Sequence, residues 1–143
     1  HEMIGILSTD LQQIDCEHLQ EIGEVGIFTD CYVPPKNFDQ LPVFTLSQSF
    51  NFAGILVSTN LQTTVMLKKN SATRKKVFYV SELEWLSMNS FTYRELFACF
   101  HDETIPLITT PELHDIVGGL FKQPAGSMER LDKQLIHRIY PND

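Results

Sequence analysis

Residues 52–57 form an uninterrupted apolar run, Phe52-Ala53-Gly54-Ile55-Leu56-Val57. A run of this kind predicts a β-strand covered on both faces, as in a parallel sheet packed between helices. It stops at Ser58-Thr59-Asn60, residue types that begin helices, and a helix is expected over Leu61–Lys69. Its two terminal lysines then lie where the helix dipole favours cations. A strand, a polar turn and a helix are therefore the expected building block.

The same unit recurs along the chain. The further expected strands cover residues 3–8, 25–28, 43–46, 77–80 and 105–109. The further expected helices cover residues 15–22, 92–100 (with Thr92 and Glu95 as a capping box and Leu96, Phe97 and Phe100 as the apolar stripe), a segment opened by Thr110-Pro111-Glu112, and a last segment entered through Ser127 and marked by Met128, Leu131, Leu135 and Ile139. Residues 31–40 contain Pro34-Pro35 and no period, which predicts a loop, and residues 123–127 are also expected as a loop.

Strands alternating with helices predict a single α/β domain over residues 1–143: a three-layer sandwich with at least five mostly parallel strands and right-handed crossovers. Its expected core includes Ile6, Ile27, Ile55, Val57, Phe78, Val80, Leu107, Leu113, Val117 and Leu120.

One helical segment carries the most complete apolar pattern. Leu113, Ile116, Val117, Leu120 and Phe121 follow the spacing i, i+3, i+4, i+7, i+8. All five are expected to form the buried face of one helix. On that expectation, replacing Leu120 by Ala costs about 2–5 kcal/mol of stability.

Composition excludes several classes of function. The chain has 143 residues and a net charge of −7, which disfavours nucleic-acid binding and a polybasic membrane-surface role. It has no apolar run of about 20 residues and no signal-peptide pattern at its start, so no membrane partner is expected and the cytoplasm (the host's, if the protein is viral) is the expected location. Its three cysteines match no disulfide framework or zinc pattern, and Cys99 is expected as a small buried apolar side chain. Neither a metal nor a cofactor is expected.

Common catalytic and nucleotide-binding motifs are missing. The chain has no GxGxxG after its first strand, no GxxxxGK[ST] and no GxSxG. Its five histidines form no metal-binding pair. Function must therefore be argued from where the fold places polar residues.

In an open parallel sheet, ligands bind beyond the carboxyl ends of the strands. The residues expected there are Ser8, Thr9, Asp10, Ser58, Thr59, Asn60, Glu82, Glu84, Trp85, Thr109 and Thr110. Backbone N–H groups after Ser58 and after Thr109 are expected to point into the same concavity and attract anionic groups. The alternative is that the hydroxyl and amide side chains only cap helices.

The segment Tyr79-Val80-Ser81-Glu82-Leu83-Glu84-Trp85 is the most distinctive. Glu82 is the candidate catalytic base and Glu84 a hydroxyl-binding group and second choice of base. Trp85 is the candidate for stacking on a sugar ring or a base. The alternative is that Trp85 and Leu86 pack into the core while both acids face water.

Three segments together resemble small glycosyltransferase-like proteins of T4-type cyanophages and marine metagenomes. They are Gly54–Asn60, the run Lys76–Leu86, and Pro106–Thr110. The similarity covers residues 52–122. It implies a Rossmann-like half of the two-domain glycosyltransferase architecture called GT-B, in which two such halves face each other across a cleft. Ser81-Glu82 stands where the family pattern has Asp, and a second half is not expected within 143 residues.

The resemblance implies a domain that binds a sugar or a nucleotide sugar, completed for catalysis by a homodimer partner or another chain. The alternative is a non-catalytic protein-interaction module that kept the α/β fold. A receiver-type regulator is disfavoured, because the first strand has no acidic pair at its end to hold Mg²⁺.

Overall fold

The computed structural model describes residues 3–10, 18–19, 24–30, 41–86 and 92–141. Within these ranges the strands are β1 (Ile4–Ser8), β2 (Val25–Thr29), β3 (Val43–Thr45), β4 (Ile55–Ser58), β5 (Lys75–Val80), β6 (Leu107–Thr109) and β7 (Gly126–Ser127). They form one sheet in the order β3-β2-β1-β4-β5-β6-β7, and every neighbouring pair is parallel. The predicted α/β class with a parallel sheet is confirmed.

The helices of the described residues are α1 (Leu61–Lys69), α2 (Tyr93–Phe100), α3 (His114–Leu120) and α4 (Lys133–Ile139). Short 3₁₀ helices cover Leu46–Asn51, Glu84–Leu86 and Pro111–Leu113. Helix α1 has the bounds predicted from the sequence, and Thr92 caps α2 with Glu95 as its capping box. The predicted helix over 15–22 and the predicted loop over 31–40 lie outside the described residues, apart from His18 and Leu19, which are helical. No helix in the described part of the chain is long and apolar enough to cross a membrane.

Two apolar layers cover the sheet, one on each face. In one layer, Leu19 and the α4 residue Ile136 pack against strand residues such as Ile6 and Val57. The other joins α1, α2 and α3 to strand residues such as Leu56 and Phe78. Alternate residues of each strand point to opposite faces, so continuous apolar strands are what this three-layer packing requires.

The predicted core is confirmed with one exception. Nine of its ten residues are buried: Ile6, Ile27, Ile55, Val57, Phe78, Val80, Leu107, Leu113 and Val117. The prediction for Leu120 was wrong, because that side chain is 58% exposed, and Ile116 on the same helix is 42% exposed.

The geometry of α3 explains the exposure. The prediction that all five residues lie on one helix was wrong: Leu113 ends the 3₁₀ helix Pro111–Leu113, and Phe121 follows α3 with φ −127° and ψ −86°. Within α3, successive residues are about 100° apart, so Leu120 lies about 60° and Ile116 about 100° from the fully buried Val117. The five-residue pattern is wider than the face that the sheet covers.

Two further elements and one side chain differ from the predictions. Residues 126–127, expected as a loop, pair with β6 and form β7. The last helix begins at Lys133 rather than near Met128, because the Asp132 carboxylate accepts from the N–H groups of Gln134 and Leu135 and caps it there. Phe97, expected on the buried stripe of α2, is 45% exposed and stacks on His101.

Two Leu→Ala substitutions test this account of the core. Leu107→Ala removes a fully buried side chain on β6 and should lower the free energy of unfolding by about 2–5 kcal/mol. Leu120→Ala, the matched surface change, should lower it by less than about 0.5 kcal/mol. Urea denaturation of both variants measures the difference. Equal losses would contradict the placement of α3.

Candidate ligand-binding site

The direction of the sheet order reverses between β1 and β4. The chain runs from β1 outward to β2 and β3, and then returns to place β4 on the other side of β1. Connections on the two sides of this point lead to opposite directions, which opens a crevice beyond the carboxyl ends of the two strands. The turns after β1 and β4 therefore form the walls of the candidate site.

Direct hydrogen bonds join these two turns. The Asn60 side-chain amide donates to the Thr9 hydroxyl at 2.6 Å. The Thr59 hydroxyl donates to the Leu7 carbonyl oxygen at 2.7 Å, at the end of β1. Asp10 is exposed on the outer side of the same turn, while Ser8 is buried and exchanges hydrogen bonds with the Asp10 backbone. The structure thus brings Thr9, Thr59 and Asn60 together, as predicted.

Ser58 and Asn60 also serve the start of α1. The Ser58 hydroxyl is fully buried and lies 2.8 Å from the Thr64 hydroxyl, inside the protein. The Asn60 carboxamide oxygen accepts from the Thr63 N–H at 2.8 Å and caps the helix. The capping alternative therefore describes Asn60, whereas the Ser58 hydroxyl contacts the Thr64 hydroxyl and caps no N–H group.

A third strand end joins the site through Glu84. One Glu84 carboxylate oxygen accepts from the Leu61 N–H, the first residue of α1, at 2.8 Å. Glu84 lies 23 residues away in sequence, beyond the end of β5. The contacts Thr9–Asn60 and Leu61–Glu84 therefore connect the ends of β1, β4 and β5 in one row.

Burial changes the acidity of Glu84. The pKa of this carboxyl is raised from 4.5 to about 7, mainly by burial and also by the nearby charge of Glu82, while the hydrogen bond from Leu61 lowers it. A carboxyl that titrates near neutral pH can exchange a proton with a ligand at that pH. Glu82, the predicted base, is exposed. The geometry therefore favours Glu84 over Glu82 for acid–base chemistry. The sequence alone could not show this, because no spacing pattern links Glu84 to Leu61.

The backbone N–H groups expected to bind an anion have partners within the chain. Those of Thr59 and Asn60 both donate to the Thr63 hydroxyl at 3.2 Å. That of Thr110 donates to the Val80 carbonyl oxygen. The expectation that these groups attract an anion stays a prediction, and an anion would have to share them with these acceptors.

Trp85 packs inward. Its ring makes edge-to-face contacts with Phe100 and Phe121, with centroids 5.4 and 5.2 Å away. The core alternative therefore holds for Trp85, whereas Leu86 beside it is 74% exposed. Cys99 is buried as predicted, and burial raises the pKa of its thiol.

Thr109 and Thr110 lie further along the same edge. Thr109 pairs in register with Val80 and is fully buried, and its hydroxyl has no hydrogen-bond partner among the described residues. Thr110 precedes the 3₁₀ helix Pro111–Leu113 but makes no side-chain cap. The Thr110 hydroxyl therefore does not cap this helix, contrary to the capping alternative.

Together these features define a Rossmann-like α/β domain, with polar side chains at the switch point and a carboxyl of raised pKa beside them. Comparisons of the chain with protein-family models, with curated proteins and with solved structures gave no significant match.

The raised pKa of Glu84 makes stability depend on pH. Between the unfolded value near 4.5 and the folded value of about 7, the folded protein binds more protons. The stabilisation is therefore complete below about pH 4.5 and is lost as the pH rises through about 7. Glu84→Gln removes this titration but keeps an oxygen that accepts from Leu61.

We expect the melting temperature of Glu84→Gln, relative to the parent protein, to rise between pH 5 and pH 8. The matched change Glu82→Gln, at an exposed neighbour, should give a smaller and flatter difference. Differential scanning calorimetry across this range measures both. A Glu84→Gln difference that falls with pH would contradict the burial of this carboxyl.

Proposed function

We infer that this chain is a glycosyltransferase-like half-domain that binds a sugar beyond the ends of β1, β4 and β5. The observation that carries the proposal is the row of contacts from Thr9 through Asn60 and Leu61 to Glu84. It places hydroxyl, amide and carboxyl groups at the switch point, where this fold class binds its ligands.

The hydrogen bonds already formed at the start of α1 favour a neutral sugar group over a bare phosphate as the ligand. The Glu84 carboxylate already accepts from the Leu61 N–H at the start of α1, and the Thr63 hydroxyl accepts from the N–H groups of Thr59 and Asn60 directly before it. A phosphate placed there would have to displace these acceptors. It would also approach the exposed carboxylates of Asp10 and Glu82. Sugar hydroxyls can instead donate to those carboxylates.

Glu84 is the proposed acid–base group. Near pH 7 its carboxyl is present in both protonation states, so it can accept a proton from a sugar hydroxyl as that oxygen becomes a nucleophile. In this proposal Asp10 and Glu82 bind other hydroxyls, and Asn60 holds the two turns together. A nucleotide sugar, as the donor of a transfer reaction, would be bound by a second copy or a partner chain facing this edge.

A second candidate function is a non-catalytic protein-interaction module. Large apolar side chains are exposed on the helices that cover one face of the sheet: Tyr93, Phe97, Ile116 and Leu120. Tyr93 with Phe97, and Ile116 with Leu120, are i, i+4 pairs, so each forms a short ridge. An exposed apolar surface of this kind is a feature of protein-binding sites.

A thermal-shift panel separates the two functions. It contains neutral mono- and disaccharides, nucleotide sugars, and free nucleoside diphosphates. A ligand at ten times its Kd stabilises the folded state by about 1.4 kcal/mol, which raises the melting temperature by about 4 °C for a domain of this size. We expect shifts from sugars and no shift from free nucleoside diphosphates.

Asp10→Asn tests the site itself. It should weaken sugar binding, whereas Asp115→Asn, a matched change at an exposed acid on α3, should not. Shifts from nucleoside diphosphates alone would refute the neutral-sugar proposal. No shift from any ligand would support the interaction module.

A further inference from the structure

Two neighbouring helices leave large apolar side chains exposed on the same face of the sheet. Helices α2 and α3 both cover the face that contains Leu56 and Phe78. Both cross from the carboxyl ends of the strands to the amino ends, so their axes run in the same direction. The exposed side chains on these helices are Tyr93, Phe97, Ile116 and Leu120. The contacts around each helix show where these side chains point.

On α2 the exposed rings point toward α3. The Phe97 ring stacks on His101 at a centroid distance of 3.8 Å, and the His101 ring lies 6.3 Å from that of Phe121, directly after α3. Tyr93 lies one turn before Phe97, with ring centroids 6.1 Å apart. Tyr93 and Phe97 therefore form one wall of a groove between the two helices, with His101 and Phe121 between the walls.

On α3 the exposed aliphatic side chains point toward α2. Successive helical residues are about 100° apart, so Ile116 and Leu120 each lie about 160° from Gly118. A Cβ added at Gly118 would contact residues 123–124, which lead to β7 on the side of α3 away from α2. Ile116 and Leu120 therefore form the opposite wall of the groove between the helices, here called the apolar groove.

The two rims of the apolar groove carry opposite charges. Arg94 lies on the outer side of α2, about 60° from Phe97, and is exposed. Across the described ranges it forms no ion pair with a carboxylate. Asp115 lies on the outer side of α3, with its exposed carboxylate 3.4 Å from His114, and Glu112 before this helix is also exposed. The α2 rim is therefore basic and the α3 rim acidic.

The other charges near α2 and α3 have compensating contacts within the chain. Glu95 lies about 160° from Phe97, on the opposite side of α2 from the groove. Its carboxylate accepts from the Thr92 N–H at 2.6 Å. At the other end of the two helices, the charge of Lys122 lies near the carboxylates of residues 102–103. The rim charges therefore select the occupant of the groove.

We propose that the apolar groove docks a second copy of this chain, with α2 of each copy against α3 of the other. A two-fold axis along the groove brings the four helices into one bundle, with the apolar walls of both copies at its centre. Each Arg94 then faces Asp115 and Glu112 of the other copy, so opposite charges meet twice. A Cβ added at Gly119, on the outer side of α3, would have no atom within 4 Å, which leaves room for α2 of the second copy.

The rim charges also select the orientation of the second copy. An axis along the groove keeps the helices of both copies parallel, so Arg94 near the start of α2 lies level with the acids at the start of α3. An axis across the groove would place α3 against α3, with the two acidic rims together. In the selected orientation the carboxyl edges of both sheets lie on one side of the dimer, and both candidate sites stay open.

The length of the groove limits the strength of this dimer. Helix α2 has eight residues and α3 seven, so they are only about 12 and 10 Å long. Two such helices bury less than the about 800 Å² per partner of a standard interface. The dimer is therefore expected to dissociate on dilution, with a Kd of tens of micromolar.

Sedimentation velocity between about 2 and 200 μM protein tests the proposal, and melting curves establish that each variant folds. Leu120→Glu places a charge on a wall of the groove. Met3→Glu is its matched control, because Met3 is exposed ahead of β1 and outside the groove. Arg94→Glu and Asp115→Arg each reverse one rim charge, and the double variant reverses both. The measurement contains no sugar, so its result is independent of the proposed function.

We expect the parent protein to be monomeric at the lowest concentration and mainly dimeric at the highest. The dimer Kd should rise at least about tenfold in Leu120→Glu and stay within about twofold in Met3→Glu. Each single charge reversal should raise the Kd about fivefold, and the double reversal should return it to within about threefold of the parent value.

A parent protein that stays monomeric at 200 μM would overturn the proposal and leave the groove to a different protein. A dimer that Leu120→Glu does not weaken would also overturn it, because the contact would then lie on another surface. A double charge reversal as weak as the single ones would refute the pairing of α2 with α3.

Discussion

Strand β1 forms backbone hydrogen bonds along both of its sides, with β2 on one and β4 on the other. Both partners are parallel to it, so each connection must cross a face of the sheet and return to the same edge. Because the two connections leave in opposite directions, helices accumulate on both faces of the sheet. The turns after β1 and β4 meet at the carboxyl edge, where the Asn60 amide donates to the Thr9 hydroxyl. The three layers and the position of the polar crevice follow from this central pairing.

Polar groups at the crevice are satisfied within the chain before any ligand arrives. Thr63 accepts from two backbone N–H groups, and Glu84 accepts from a third. A helix start with free N–H groups attracts phosphate, whereas one already occupied by a carboxylate favours ligands that donate hydrogen bonds. The half-buried position that gives Glu84 this contact also raises its pKa to about 7, so in the proposed function the ligand preference and the acid–base role have one structural cause.

The sequence predicted the fold well because continuous apolar strands and capped helices are local signals. Helix α1 and the cap at Thr92 follow from neighbouring residues alone. Leu120 could not be placed in the same way, because its exposure depends on how α3 is rotated against the sheet. The contact between Glu84 and Leu61 likewise joins residues 23 positions apart. Residue types located the candidate edge, but only packing shows which carboxyl is half-buried there.

A parallel sheet is polar as a whole, and this polarity accounts for the two different edges. Crossover helices begin at the carboxyl edge and end at the amino edge, so cations that favour helix C-termini, such as Lys68 and Lys69, collect at the amino ends of the strands. Polar and acidic turns collect at the opposite ends, where ligands of this fold class bind. A domain of 143 residues can therefore place the polar groups of its candidate site at one edge of the sheet and the cations of its helix ends at the other.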